Sequence, residues 1–186
     1  MEYNKKEPAF FTQQVYLIGT YDEDGKERFA PISWVSYTWG EPPCLVINIW
    51  GIKHTKDNIA RTGLLSATVL TPDLLPLAEQ YNRGTYKKPL WDKLSYAAEE
   101  GKSLQVPLLK GAKYSFECHV IKTAQIGETI TYFAEIKNIN MSDDVKALDF
   151  YDLRKINPVV YSPGNYFTIG EHLGRIGDFS VLDDES

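Results

Sequence analysis

Apolar and polar positions fall in short blocks along most of this chain, and the blocks read as strands separated by turn residues. Gln14–Tyr21 (QVYLIGTY) is rich in β-branched and aromatic residues, Asp22–Gly25 carries hairpin-turn chemistry, and Glu27–Pro31 returns as a second strand. Pro31 cannot donate to a ladder, so it predicts a sheet edge or a bulge. A polar-aromatic strand follows over Ile32–Thr38, then a turn at Gly40–Pro43, then the apolar strand Cys44–Trp50, interrupted by Asn48. After the Gly51–Thr55 loop, Lys56–Arg61 reads as the first turns of a helix, with Thr55 as N-cap. Leu64–Leu70 is another strand, and Thr71 is placed to cap a helix from Pro72 or Asp73 to Tyr81 that packs Leu74, Leu75, Leu77 and Ala78. Asn82–Lys110 is less regular, with Lys87-Lys88-Pro89, a short helical patch over Asp92–Glu100, and Pro107. Ala112–Thr123 and Thr129–Met141 alternate as a long hairpin across the turn Gln125–Glu128. Asp143-Asp144 is a turn or cap signal, and Ala147–Ile156 predicts a short helix. The tail runs from Pro158 through a glycine-rich stretch to a frayed end at Val181–Ser186.

Composition narrows the class. At 186 residues and 43% hydrophobic, the chain suits one domain with a sizeable core. A formal net charge of −5 argues against general nucleic-acid or anionic-membrane binding. The start has no apolar signal segment, and no run approaches the roughly 18 apolar residues of a membrane span. A cytoplasmic protein is expected. Cys44 and Cys118 fall on separate strands and read as buried free thiols of a reducing compartment. His119 has no partner at ligand spacing and reads as a strand histidine, so no metal is expected. No Ser-His-Asp, Cys-His or paired-carboxylate arrangement can be assembled.

One stretch carries most of the functional signal. A helix starting after Lys53-His54-Thr55 offers unpaired N–H groups and a positive dipole end, with a charge and a hydroxyl beside them. That is the chemistry of a phosphate site. Asn48, inside an apolar strand, needs a partner for its amide, either backbone or ligand.

The order Ala30-Pro31-x-Ser33-Trp34, then Pro42-Pro43, an apolar strand, and Lys53-x-Thr55-x-x-Asn58-Ile59 resembles the flavin reductase-like family of FMN-binding split barrels. That family includes NAD(P)H:flavin oxidoreductases and flavoredoxin-type proteins. The likeness extends to Leu17–Thr20, Asp22–Gly25, Phe116–Cys118 and Asn157–Tyr161, so nearly the whole chain is covered. It implies a mainly-β fold, a Greek-key-like six-stranded split barrel with a few helices. A single domain spans 1–186, with an N-terminal arm at 1–13, an excursion at 82–111 and a C-terminal docking tail at 157–186.

The resemblance also implies a site. FMN would meet Ala30, Pro31, Ile32, Ser33 and Trp34 along its ring and ribityl chain, with Asn48 and Trp50 at the end of the apolar strand. Lys53, His54, Thr55 and Asn58 would hold phosphate or ribityl groups. Ser33 both donates and accepts, as a ribityl hydroxyl or ring carbonyl requires. Asn58 has a second reading, tying its helix to a neighbour. No catalytic side chain is assigned, because the flavin carries the chemistry. NADH or NADPH would be co-substrate, and electrons would pass to free flavin, a metal or a partner protein. A homodimer is implied, completing the flavin site across a two-fold axis. Lys53 stands where relatives commonly carry arginine, supplying charge without a bidentate fork. The excursion is a lid or a plain connector, with Tyr81, Tyr86 and Trp91 as its residues of interest, and Tyr166 is placed to approach the flavin from the tail. Two alternatives stay open. One is a flavoredoxin-like electron carrier with a protein donor. The other is a split barrel for haem or another flat ligand, with His54, His119 or His172 as axial candidate.

Overall fold

In the computed structural model, residues 12–84, 97–146 and 152–175 are described. Seven strands make one antiparallel sheet: β2 (Tyr16–Tyr21), β3 (Glu27–Ile32), β4 (Val35–Thr38), β5 (Cys44–Ile49), β6 (Leu64–Val69), β9 (Tyr114–Ile126) and β10 (Thr129–Met141). Their order is β3-β2-β6-β9-β10-β5-β4. The two edge strands, β3 and β4, are separated in sequence by Ser33 and Trp34 alone. A chain that crosses from one edge of a sheet to the other in two residues forces the sheet to curl on itself. Counted as one bent strand, β3 and β4 leave six staves, the expected mainly-β split barrel.

Alternation along β2 shows how both sides of this wall are filled. Ile18 joins the barrel interior with Ile32, Leu45, Ile47, Ile49, Ile59, Leu65, Tyr132 and Ala134. Leu17, on the opposite face, joins an outer cluster with Val15, Phe29, Leu70, Ala78, Tyr81, Leu109 and Val159. The outer layer is built by α2 (Leu75–Gly84) with its preceding 3₁₀ turn Pro72–Leu74, and by the small β7–β8 ladder (Ala98–Glu100 with Pro107–Leu109). Helix α1 (His54–Thr62) links β5 to β6, and its Ile59 reaches into the barrel interior. It ends on Gly63 at φ 69°, whose N–H bonds the Ile59 carbonyl, the left-handed stop that glycine allows. Short helices α3 (Asp143–Lys146) and α4 (Leu153–Ile156) precede β11 (Val159–Ser162) and β12 (Asn165–Thr168). These two strands form a second sheet with β1 (Gln13–Gln14), so the tail docks on the chain's own barrel.

Several boundaries differ from the sequence reading. Ile32 closes β3, and the strand predicted over Ile32–Thr38 begins only at Val35, because Ser33 and Trp34 form the bend. Pro31 pairs with Leu17 on an edge strand, where its missing N–H costs nothing. Thr55 is not the N-cap of α1. Lys53 holds that position in extended conformation, φ −144° and ψ 130°, without a side-chain bond. Thr71 stands at the expected flank of its helix but makes no side-chain cap either. Ala98–Glu100, read as the end of a helical patch, is a strand, because pairing with Pro107–Leu109 overrides local propensity. The hairpin turn tightens to Gly127-Glu128, with Ile126 facing Thr129. The arm at 1–11, Tyr86, Lys87–Pro89, Trp91, the start of the patch from Asp92, the segment 147–151 and the chain end from Ile176 lie outside the described residues.

Candidate functional site

Three elements converge on the N-terminal end of α1. From β3 come Arg28, Phe29 and Ala30, from α1 and the residue before it Lys53, His54 and Thr55, and from α2 Tyr81. Together they line a small cleft of about 30 Å³. Tyr81 forms its back wall, its ring 5.9 Å from that of Phe29. A second cleft of about 210 Å³ lies beside it, sharing His54 and Arg28 and adding Asp22, Glu23, Asp57, Asn58 and Arg61.

The donor set of the first cleft is that of an anion site. The N-cap residue Lys53 makes no side-chain capping bond, and the positive end of the helix lies at the cleft. Thr55 is only 7% exposed, and its hydroxyl makes no hydrogen bond among the described residues. Lys53 makes no ion pair among the described residues. A phosphate monoester fits this set, since it offers acceptor oxygens to a hydroxyl, an ammonium and the positive end of the helix.

Neighbouring charges are already engaged. The Arg28 guanidinium donates to Asp22 Oδ2 at 2.8 Å. Burial pushes the Asp22 carboxyl up, but the Lys26 N–H, Arg28 and the Asp24 N–H outweigh it and hold it below the usual range. Arg61 donates to the carbonyls of Tyr21 and Asp22 at 2.6 and 2.9 Å. This fastens the β2–β3 turn to α1.

The remaining expected contacts divide. Ala30, Lys53, His54 and Thr55 are brought together. Pro31 lies next to them on the edge strand, and Ser33 and Trp34 sit at the bend that follows. Ile32 is 8% exposed and packs into the barrel interior rather than toward the cleft. Of the two partners open to the Asn48 amide, the structure uses protein: Nδ2 donates to the Trp34 carbonyl at 3.3 Å, and Oδ1 accepts from Thr131 at 2.7 Å. The Asn48 N–H also reaches the Trp34 carbonyl, at 2.9 Å. Asn48 therefore fastens the bend. Asn58 takes its second reading, donating from Nδ2 to Thr20 Oγ1 at 2.9 Å and tying α1 to β2. Trp34 and Trp50 are 42% and 67% exposed at the same end of the β4–β5 ladder and offer flat apolar faces there.

Tyr166 is committed elsewhere, its hydroxyl donating to Glu79 on α2 at 2.7 Å. Burial and that bond push its pKa up to about 12. Arg28 escaped the sequence reading. The available signal was its place two residues before Ala30, the spacing that points both to one face of a strand.

The model of the flavin reductase like domain matches residues 9–170. Among solved structures, the flavoredoxin of Desulfovibrio vulgaris (Miyazaki F) superposes with a TM-score of 0.84 at 17% identity, covering 96% of this chain and 99% of that one. A flavoredoxin from Methanosarcina acetivorans gives 0.84 at 20% identity, with 96% of each chain covered. The FMN-binding protein from Thermus thermophilus, solved with bound p-hydroxybenzaldehyde, gives 0.77 at 16% identity over 94% of this chain and 99% of that one. At these identities the superpositions speak to the fold, which they share along its whole length. The matched span of the domain model runs from ahead of β1 to past β12, and the chain belongs to the flavin reductase-like family.

Proposed function

We propose that this chain is an FMN-dependent oxidoreductase, accepting hydride from NADH or NADPH and passing electrons to free flavin, a metal or a partner protein. It would work in the cytoplasm as a homodimer. The observation that carries the reading is the first cleft, where a helix end without an N-cap side-chain bond, the Thr55 hydroxyl and the Lys53 ammonium meet beside an edge strand. Family membership supplies the class of cofactor, and the FMN-binding relative from Thermus thermophilus favours FMN within that class. The buried thiols of Cys44 and Cys118 suit a reducing compartment.

When bound, FMN would supply the redox chemistry. The chain's own residues bind and orient. Lys53, Thr55 and the first-turn N–H groups of α1 would hold the phosphate. Backbone groups on the outer side of β3 and at the Ser33–Trp34 bend would read polar ring atoms, since an edge strand leaves one row of them unpaired. The exposed faces of Trp34 and Trp50 would shield the ring end from water.

The deciding experiment is the visible spectrum of purified protein with FMN, taken anaerobically before and after NADH and then NADPH. Flavin absorbance that bleaches with either nucleotide is the expected result. Bound flavin that stays oxidised with both would make the protein an electron carrier served by a protein donor. Failure to take up FMN at all would refute the proposal.

A further inference from the structure

The loop that carries Trp50 and Lys53 is held by very little. Trp50 and Ile52 are 67% and 81% exposed, and Gly51 sits at φ 73°. No apolar burial anchors this segment. Its side-chain tether is Lys56, whose ammonium donates to the Gly51 carbonyl and to the Glu128 carbonyl, each at 2.9 Å. Glu128 lies in the β9–β10 turn, 72 residues away. One ammonium thus bridges the loop to a distant hairpin, and both bonds are charge-assisted. The backbone of the same residue closes the first turn of α1, Lys56 N–H to the Lys53 carbonyl at 2.9 Å.

The placement breaks a local rule. Lys56 stands in the first turn of α1, where a cation opposes the helix dipole. A residue that defies local preference has to be accounted for by a compensating contact or by function. Here it gives both: two bridging bonds, and extra positive potential beside Lys53 at the helix end.

We propose that Lys56 is a positioning residue, clamping the Trp50–Lys53 loop to the β9–β10 turn and so setting where Lys53 stands against the flavin phosphate. The phosphate part rests on the function proposed above. The clamp itself does not.

The test compares wild type with Lys56→Gln and Lys56→Arg. Backbone 15N order parameters at residues 51–53 are read in the flavin-free proteins, and FMN and riboflavin affinities are read by flavin fluorescence. Lys56→Gln should lower the order parameters at 51–53 from about 0.85 to below about 0.6, because the loop is then untethered. It should weaken FMN by about tenfold while leaving riboflavin, which lacks the phosphate, nearly unchanged. Lys56→Arg, which keeps the charge and can reach two carbonyls, should restore the order. Unchanged order parameters in Lys56→Gln overturn the clamp, whether or not FMN affinity falls. Lower order with unchanged FMN affinity overturns the positioning role. If wild type binds no FMN, the proposed function fails, and the order parameters still decide the clamp. Should Lys56→Gln not fold, Lys56→Met is read in its place against the same criteria.

Discussion

Lys53 and Thr55 bring different chemistry to the same cleft, and substitutions should separate them. Lysine gives a mobile point charge, while the threonine hydroxyl gives a short-range donor. Lys53→Gln should weaken FMN by about 10- to 100-fold, the range expected for a hydrogen bond to a charged group, and should flatten the salt dependence of binding. Thr55→Val should cost less and leave the salt dependence intact. Fluorescence titration at two ionic strengths checks both, and wild-type affinity in Lys53→Gln would remove Lys53 from the phosphate site. At this scale the sequence exposed residue types but not their targets. Lys53, His54 and Thr55 were legible because a helix start concentrates donors whatever surrounds it. Asn48 and Asn58 were legible only as polar residues in need of partners, and their partners, Trp34 and Thr20, lie on other strands. Only tertiary structure says whether such an amide faces a ligand or a neighbour.

At the scale of elements, the return leg of the excursion is organised around a single buried group. Glu117 on β9 is fully buried, and its carboxylate accepts five hydrogen bonds. They come from the N–H groups of Lys102, Ser103 and Leu104 and from the amides of Asn138 and Asn140, at 2.7 to 2.9 Å. Gly101 makes this wrap feasible, since a Cβ there would stand 2.5 Å from the Leu104 carbonyl and 2.7 Å from Glu117 Oε2. Burial pushes the Glu117 carboxyl up, but the bonds from Asn140, Asn138, Ser103 and Leu104 overcome it and hold it at about 2, from an ordinary 4.5. A depressed carboxyl adds stability that is fully present above the unfolded value and lost as pH falls from there toward the folded one. Stability should therefore drop by about 3 kcal/mol between roughly pH 4.5 and 2 from this group. Glu117→Gln turns one acceptor into a donor and leaves at least two N–H groups unpaired, costing about 2–4 kcal/mol at neutral pH. Urea denaturation across pH checks both, because the variant should lack the acid-dependent part of the loss. An equal acid slope in variant and wild type would mean that Glu117 is not the group responsible. None of this was legible in Ser115–Cys118, which reads as plain strand. The nest exists only once residues 102–104 fold back over it, just as Ala98–Glu100, an expected helix end, is a strand only because it pairs with Pro107–Leu109.

At the scale of the whole molecule, the β4–β5 edge is unusually apolar. Tyr37 and Trp39 on and after β4 are 45% and 93% exposed, and Trp34, Trp50 and Ile52 lie along the same ladder and the loop that follows it. Tyr37 and Trp39 pack edge to face at 5.9 Å, forming a ready-made surface. Large apolar groups gathered at one place on a surface mark an interaction site, and a self-complementary two-fold contact is the commonest way to cover one. Trp34 and Trp50 lie at the other end of that ladder, so a second copy laid along the whole β4 edge would reach them as well and close the flavin ring end off from water. The protein should therefore run by light scattering at about twice its 21.2 kDa chain mass. Trp39→Glu, which buries a charge in such a contact, should shift it toward the monomer and weaken FMN in parallel. A wild-type mass of a single chain would rule the dimer out. A monomeric Trp39→Glu that binds FMN at wild-type strength would show that each chain holds its flavin alone, with the aromatic edge serving assembly only.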